Sequence, residues 1–220
     1  MILTWDPALF AIVRLSLAVS LSATLLGALL GVPGGALLAF AQFRGREAVV
    51  VALNALMGLP PVVAGLAVFL ALSRSGPFGK FGLLFTPQAM VIAQTVLVAP
   101  IIAALSRQTI EDLWREYGDE LAAMDVGPLR RMLTLIREAR FSLVTALLAG
   151  FGRASAEVGA ILIVGGNIAG FTRTMTTAIA LETSEGNLNF ALGLGIVLMF
   201  IVAAISALAW GARRAHDRYA

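Results

Sequence analysis

The chain has 220 residues, of which 59% are hydrophobic and only 13% charged. A mean hydropathy of +0.91, with apolar runs of about 20 residues or more, excludes an ordinary soluble domain and places the chain in a membrane. Cysteine is absent, which excludes disulfides, thiol catalysis and thiolate metal sites. The net charge of +3 comes from basic residues beside apolar runs and does not indicate a nucleic-acid surface.

Met1–Leu9 carries no Lys or Arg ahead of the first apolar run, so the basic start of a signal peptide is missing. The first predicted span, about 10–43, is longer than a bilayer core requires, and Gly31-Val32-Pro33-Gly34-Gly35 predicts a kink in it. Arg14 lies near its outer end, where it either snorkels to the interface or attracts an anion at the outer mouth. The second span, about 48–72, contains Gly58-Leu59-Pro60-Pro61-Val62-Val63-Ala64-Gly65. Paired prolines remove backbone donors and force a kink or an unwound turn, read either as a packing kink or as a break lining a pathway. The third span covers about 87–105, with Pro100 near its far end; the fourth covers about 141–164 and the fifth about 189–210. His216, the single histidine, reads as a solvated residue of the polar tail.

Between the third and fourth spans lies a polar loop, about 106–140. Leu113, Tyr117, Leu121 and Met124 recur there at helical spacing, with Asp119, Glu120 and Asp125 off that stripe and Gly127-Pro128 ending the predicted short helix. Such a helix has two readings, an interfacial segment on the headgroups or a docking knob for a soluble partner. Its acidic polar face favours the partner, because membrane-surface helices carry Lys and Arg there. Basic residues set the orientation. Arg44, Arg46, Arg107, Arg115, Arg130, Arg131, Arg137, Arg140, Arg213, Arg214 and Arg218 fall on one side, against Arg74, Lys80 and Arg173 on the other. The polar loop and C-terminus are therefore expected in the cytoplasm and the N-terminus outside.

Arg153 and Glu157 lie deep in the fourth span, four residues apart and hence predicted on one helix face. A charge at that depth costs roughly 2.5–3.5 kcal/mol on insertion scales, so the pair should face protein or water, as a structural salt bridge or as a gating element. Beyond it, Val164-Gly165-Gly166-Asn167-Ile168-Ala169-Gly170 and Phe171-Thr172-Arg173-Thr174-Met175-Thr176-Thr177 form a glycine-rich and then hydroxyl-rich stretch. That stretch is either an ordinary external loop or a set of transient ligands for an oxyanion in transit. Residues 178–185 predict a short outer segment before the last span. No P-loop run, no H-E-x-x-H and no Ser-His-Asp set occurs, so ATP-powered transport would need an ATPase on another polypeptide. An ATPase-independent carrier or channel, or a membrane-embedded enzyme, lacks the deep titratable relays or nucleophile–base sets it would need.

Tyr117–Gly127 resembles a degenerate cytoplasmic EAA loop of ABC-importer permeases. Leu121-Ala122-Ala123 precede Met124-Asp125-Val126-Gly127, with Leu121 where that family has Glu and an acid one place earlier, at Glu120. Leu59-Pro60-Pro61-Val62-Val63-Ala64-Gly65 resembles the signature of molybdate, sulfate and tungstate permeases. Gly152-Arg153-Ala154-Ser155-Ala156-Glu157-Val158-Gly159-Ala160, followed by Gly165-Gly166-Asn167-Ile168, resembles a second stretch of that group. Val164–Asn167 and Arg173–Thr183 look most like its tungstate branch.

The resemblance implies an all-α, five-span permease domain covering 1–220, with a cytoplasmic coupling helix at about 115–126. It implies a homodimer with two cytoplasmic ATPase subunits, which would hold ATP and Mg, and an external oxyanion-binding protein. No cofactor or metal is expected in this chain, and no nucleic-acid partner. The expected location is the cytoplasmic (inner) membrane of a bacterium or archaeon, with lipid around the spans. Leu113, Tyr117, Glu120, Leu121, Ala122, Ala123 and Gly127 would couple to the ATPase. Pro60, Pro61, Gly166 and Asn167 would line the pathway, and Arg153 with Glu157 would form the structural or gating pair. Tungstate is the expected cargo, with molybdate or sulfate as the alternative.

Overall fold

The computed structural model describes residues 7–124 and 127–217, all helix and connecting loop, with no strand among them. Asp125, Val126 and Arg218 lie outside the described residues, as do the side chains of Ala122, Arg213, Arg214 and His216. The helices are α1 (Pro7–Phe40), α2 (Arg46–Met57), α3 (Pro61–Leu72), α4 (Pro87–Ala123), α5 (Pro128–Glu138), α6 (Arg140–Ser155), α7 (Gly159–Gly165), α8 (Met175–Ser184) and α9 (Leu188–Asp217). Among the described residues α1, α4 and α9 are each long and apolar enough to cross a membrane. The bent pairs α2–α3 and α6–α7 bring the number to five if each pair is one span.

The scaffold is α1 laid along α4. Gly27, Gly31 and Gly35 recur every fourth residue and so share one face of α1. A Cβ on Gly31 would stand 2.9 Å from the Ala99 carbonyl oxygen, and one on Gly35 only 2.3 Å from that of Ala103. Backbone meets backbone here, which is how helices associate where lipid provides no hydrophobic drive. Ala23, Val98 and Ile102 are fully buried in the same region. α9 is the least enclosed of the long helices, with Ile196, Met199 and Phe200 exposed.

One expectation is met and two are corrected. The second predicted segment breaks at its paired prolines as expected: α2 and α3 meet at 102°, where Pro60 and Pro61 take their backbone N–H groups out of any continuous ladder. The fourth segment is also broken, by 60° between α6 and α7, although no proline stands there. The stretch expected to form a separate short helix, about 115–126, is instead the end of α4, which runs from Pro87 through Pro100 to Ala123. Gly127-Pro128 then serves as a beginning: Gly127 is the N-cap of α5 and Pro128 its first residue, a position where the missing N–H costs nothing.

α5 is strongly amphipathic. Met132, Leu135 and Ile136 seat it against Ala36, Ile110, Ala139 and Leu143, closing a small core at the polar end of the bundle. A larger core of Val19, Ala64, Val68, Met90, Ala93, Ile161 and Val164 joins α1, α3, α4 and α7.

Candidate functional site

The two broken spans pack on each other. A Cβ on Gly65 of α3 would lie 2.6 Å from the Ala160 Cα of α7, and one on Gly159 would lie 3.0 Å from Val62 Cγ2. The breaks preceding α3 and α7 are thereby brought side by side. Irregular backbone at membrane depth persists only where protein or a water-filled cavity surrounds it. Pro60 is exposed and Pro61 opens α3 at this point. Gly166 and Asn167 lie at the far end of α7, roughly 10 Å along its axis at the helical rise. The four predicted pathway residues therefore flank the α3–α7 pair and do not form one cluster.

Glu157 is 2% exposed and sits in the gap between α6 and α7, so Arg153 and Glu157 do not share a helix face as predicted. They still pair, with Nη1 of Arg153 3.6 Å from Oε2 of Glu157. The other oxygen, Oε1, accepts the Ala160 backbone N–H at 3.0 Å and so caps α7. Neighbouring helices repair the rest of the break. Gln94 of α4 donates through Nε2 to the Ala154 carbonyl at 2.8 Å, and the Thr176 hydroxyl of α8 donates to the Glu157 carbonyl at 2.8 Å. Ser16 of α1 accepts the Met175 N–H at 2.7 Å, fixing the start of α8.

This geometry separates capping from charge. Glu157→Gln should keep the cap and leave Arg153, which is 32% exposed, able to reach water. Glu157→Leu should lose both interactions and lower stability by about 1–2 kcal/mol, in the range of a lost N-cap. Thermal unfolding of the purified variants reads the difference. Equal loss in both would assign the effect to the ion pair instead.

The segment after α7 folds tightly on itself. Gly166 and Asn167 both adopt left-handed backbone, φ 71° and 50°, which glycine and asparagine tolerate best. The Thr172 hydroxyl donates to the Gly165 carbonyl at 2.6 Å and accepts the Ile168 N–H at 2.9 Å. Phe85 ties the segment to α3: its N–H donates to the Val164 carbonyl at 2.8 Å, and its ring packs edge-on to Phe69 at 6.2 Å. Asn167 Oδ1 is buried without a hydrogen-bond partner.

At the polar end, α4 carries a charge clamp. Glu111 is bound through one carboxylate oxygen by Arg46 at the start of α2, and through the other by Arg107 at 2.5 Å. Arg46 also donates from Nε to the Leu38 carbonyl of α1 at 3.2 Å, so one side chain links three helices. Beyond the clamp, Leu113 and Leu121 pack into the α5 core with Trp114, whose ring meets Phe40 edge-on at 5.1 Å. They are turned toward the protein. Tyr117, Glu120, Ala123 and Gly127 are exposed at the tip, with Met124 beside them. Leu129 and Leu133, four apart on α5 and 65% and 55% exposed, extend that apolar surface.

Sequence reasoning missed the clamp, Gln94, Phe85 and this face of α5. The i,i+4 spacing of Arg107 and Glu111 and the lone amide of Gln94 in an apolar run were the signals available. Among the described residues no cluster of His, Cys, Asp and Glu could hold a metal ion.

No protein-family model matches the chain. A probable anion ABC transporter permease protein of Haloferax volcanii is 43% identical over 210 residues, 93% of this chain and 90% of that protein. The tungstate uptake system permease protein TupB of Peptoclostridium acidaminophilum is 38% identical over 208 residues, 94% of this chain and 91% of that one. In fold, the chain is similar to a structure of the MetNI methionine ABC transporter in inward-facing conformations. The TM-score is 0.73 at 20% identity, with 96% of this chain and 98% of that one covered. A membrane-depth pair of broken helices, a continuous helix leading from it to an exposed polar tip, and identity of this extent over almost the whole length make the chain a member of the ABC transporter permease family.

Proposed function

We propose that this chain is the membrane-spanning subunit of an ATP-driven importer that carries an oxyanion, tungstate before molybdate or sulfate, across the cytoplasmic membrane. The observation that carries the mechanism is α4. One unbroken helix joins the region beside the breaks to the cytoplasmic tip, so movement imposed at the tip reaches membrane depth without passing through a loop. Its relatives named for anion and tungstate uptake supply the cargo.

In this reading the chain is one permease domain that works as a pair of copies, with the pathway between them. The N-terminus is outside and the C-terminus cytoplasmic. ATP and Mg belong to two separate ATPase subunits, and an external binding protein delivers the anion. The exposed tip residues Tyr117, Glu120, Ala123 and Gly127, together with Met124, Leu129 and Leu133, meet the ATPase, and Leu113 and Leu121 brace the tip from behind. Ala122 belongs to the same stretch. Pro60, Pro61, Gly166 and Asn167 flank the pathway, and Arg153 with Glu157 holds the α6–α7 break in shape.

Uptake of labelled tungstate, molybdate and sulfate into vesicles carrying the assembled importer tests the reading. Tungstate accumulation that depends on ATP and exceeds the others supports it. Equal tungstate and molybdate uptake removes the preference, and no uptake of any of the three overturns it. Two variants test the assignments. Gly127→Arg should reduce co-purification of the ATPase, because it places a long cation at the exposed N-cap of α5, where the helix dipole is already positive. Asn167→Leu should slow uptake while leaving the ATPase bound. An unchanged rate would remove Asn167 from the pathway.

A further inference from the structure

A pocket of about 380 Å³ opens between the first turns of α1 and the 169–173 loop, within the size range of small-ligand sites. Arg14 and Arg173 both line it, with no carboxylate among the described residues; Ile12, Leu15 and Phe171 supply apolar wall. Among the described residues neither arginine makes a hydrogen bond or ion pair, and the Nε of Arg173 is buried without an acceptor. Glu182, an acid of α8, accepts instead from the Asn187 amide at 2.9 Å. An unmatched guanidinium N–H under apolar cover is costly, and an acceptor that enters from outside relieves the cost.

The loop is built to hold Arg173 in place. The N–H groups of Phe171, Thr172 and Arg173 all converge on the Ile168 carbonyl. On either side of Arg173, Thr172 and Thr174 are buried, the first tied to Gly165 and the second capping α8. Arg14 faces the same space from about 10 Å along α1 at the helical rise. Two guanidiniums lining one pocket, the exposed Arg14 and the partly buried Arg173, favour a compact dianion over a chloride or a single carboxylate, because each can present parallel N–H donors to two oxygens.

We propose that this pocket is an entry subsite for a tetrahedral oxyanion dianion, received by Arg14 and Arg173 on the outer side before it moves inward. The proposal rests on the importer reading and its outside-facing N-terminus. An anionic phospholipid headgroup also presents tetrahedral phosphate oxygens, though as a singly charged phosphodiester, and the test separates the two sources.

The complete importer, with ATPase and binding protein, is reconstituted in phosphatidylcholine liposomes with and without phosphatidylglycerol, and labelled tungstate uptake is followed at rising concentrations of loaded binding protein. Arg14→Gln and Arg173→Gln should each lower uptake about tenfold at low concentration, as expected for loss of a charge-assisted hydrogen bond. Arg14→Lys and Arg173→Lys should recover much of it. Arg74→Gln, an outer arginine away from the pocket, should transport like the parent. Gel-filtration profiles of the assembled variants confirm that they fold.

The proposal is overturned if the double glutamine variant matches the parent in both lipids. It is overturned equally if Arg74→Gln loses as much, which indicates a diffuse surface potential. Loss of parent uptake on omitting phosphatidylglycerol, with the double variant indifferent to it, assigns the pocket to an anionic lipid headgroup and also overturns the proposal, while the importer reading stands. A parent complex that accumulates none of tungstate, molybdate and sulfate removes the importer reading and this one with it.

Discussion

Gly35→Val should remove most of the folded protein recovered from membranes, whereas Gly34→Ala, one residue away, should not. A Cβ at position 35 would stand 2.3 Å from the Ala103 carbonyl oxygen and 2.9 Å from the Arg107 backbone nitrogen, so the obstacle is main chain that cannot change rotamer. α1 would have to lift from α4 along the line that Gly27 and Gly31 also occupy. Overpacking of this kind costs about 3 kcal/mol or more, at the upper end of its range, because no side chain can yield. Position 34 has nothing within 4 Å of a new Cβ, and alanine there should be neutral or stabilising by about 0.5–1 kcal/mol through backbone entropy. Monodisperse yield in detergent and the thermal midpoint read both variants. Equal behaviour would mean that the α1–α4 approach is not as close as described.

Glu111→Gln should have the second large effect, and of a different kind. The carboxylate is 17% exposed and serves two arginines that are 24% and 14% exposed. Arg107 already has a buried Nε without a partner, so it has no spare acceptor to turn to. Removing one member of such a cluster costs about 3 kcal/mol, since Arg107 stays partly buried with no other ion pair among the described residues, although Arg46 keeps Glu47 and the Leu38 carbonyl. Because the clamp joins α1, α2 and α4 and lies clear of the exposed tip, the ATPase should still bind and hydrolyse ATP. Uptake should fall about tenfold, an ordinary size for a lost coupling energy. Co-purification, ATP hydrolysis and uptake measured on one preparation separate this outcome from simple unfolding. Loss of all three together would make the clamp structural only.

Much of this architecture was legible in the amino acids, and the failures have physical causes. Long apolar runs announce spans by composition alone, and Pro60-Pro61 announces a break because two donors are missing. Nothing in a one-dimensional pattern gives the 102° angle or the close approach of Gly65 to Ala160 across the fold. The break before α7 carries no proline. It depends on Glu157 capping the nearby Ala160 N–H, and on Gln94 and Thr176 meeting the Ala154 and Glu157 carbonyls from 60 and 19 residues away. The clamp was half visible. Arg107 and Glu111 have the spacing of a helical ion pair, but Arg46 lies 65 residues from Glu111. The polar stripe was read as a separate short helix because composition changes abruptly near Ser106, whereas helix propensity does not change there, and α4 continues.

Placing the clamp on that continuous helix has a mechanical consequence. From Glu111 to the last described turn at Ala123 is about 18 Å, and from Glu111 back to Pro100 about 17 Å, at the helical rise. Pro100 has no N–H to give the ladder of α4, although the helix continues through it. Held at its middle, this stretch is a balance beam with nearly equal arms. A nucleotide-driven push of the tip in one direction would return a stroke of similar length at Pro100 in the other, neither amplified nor lost.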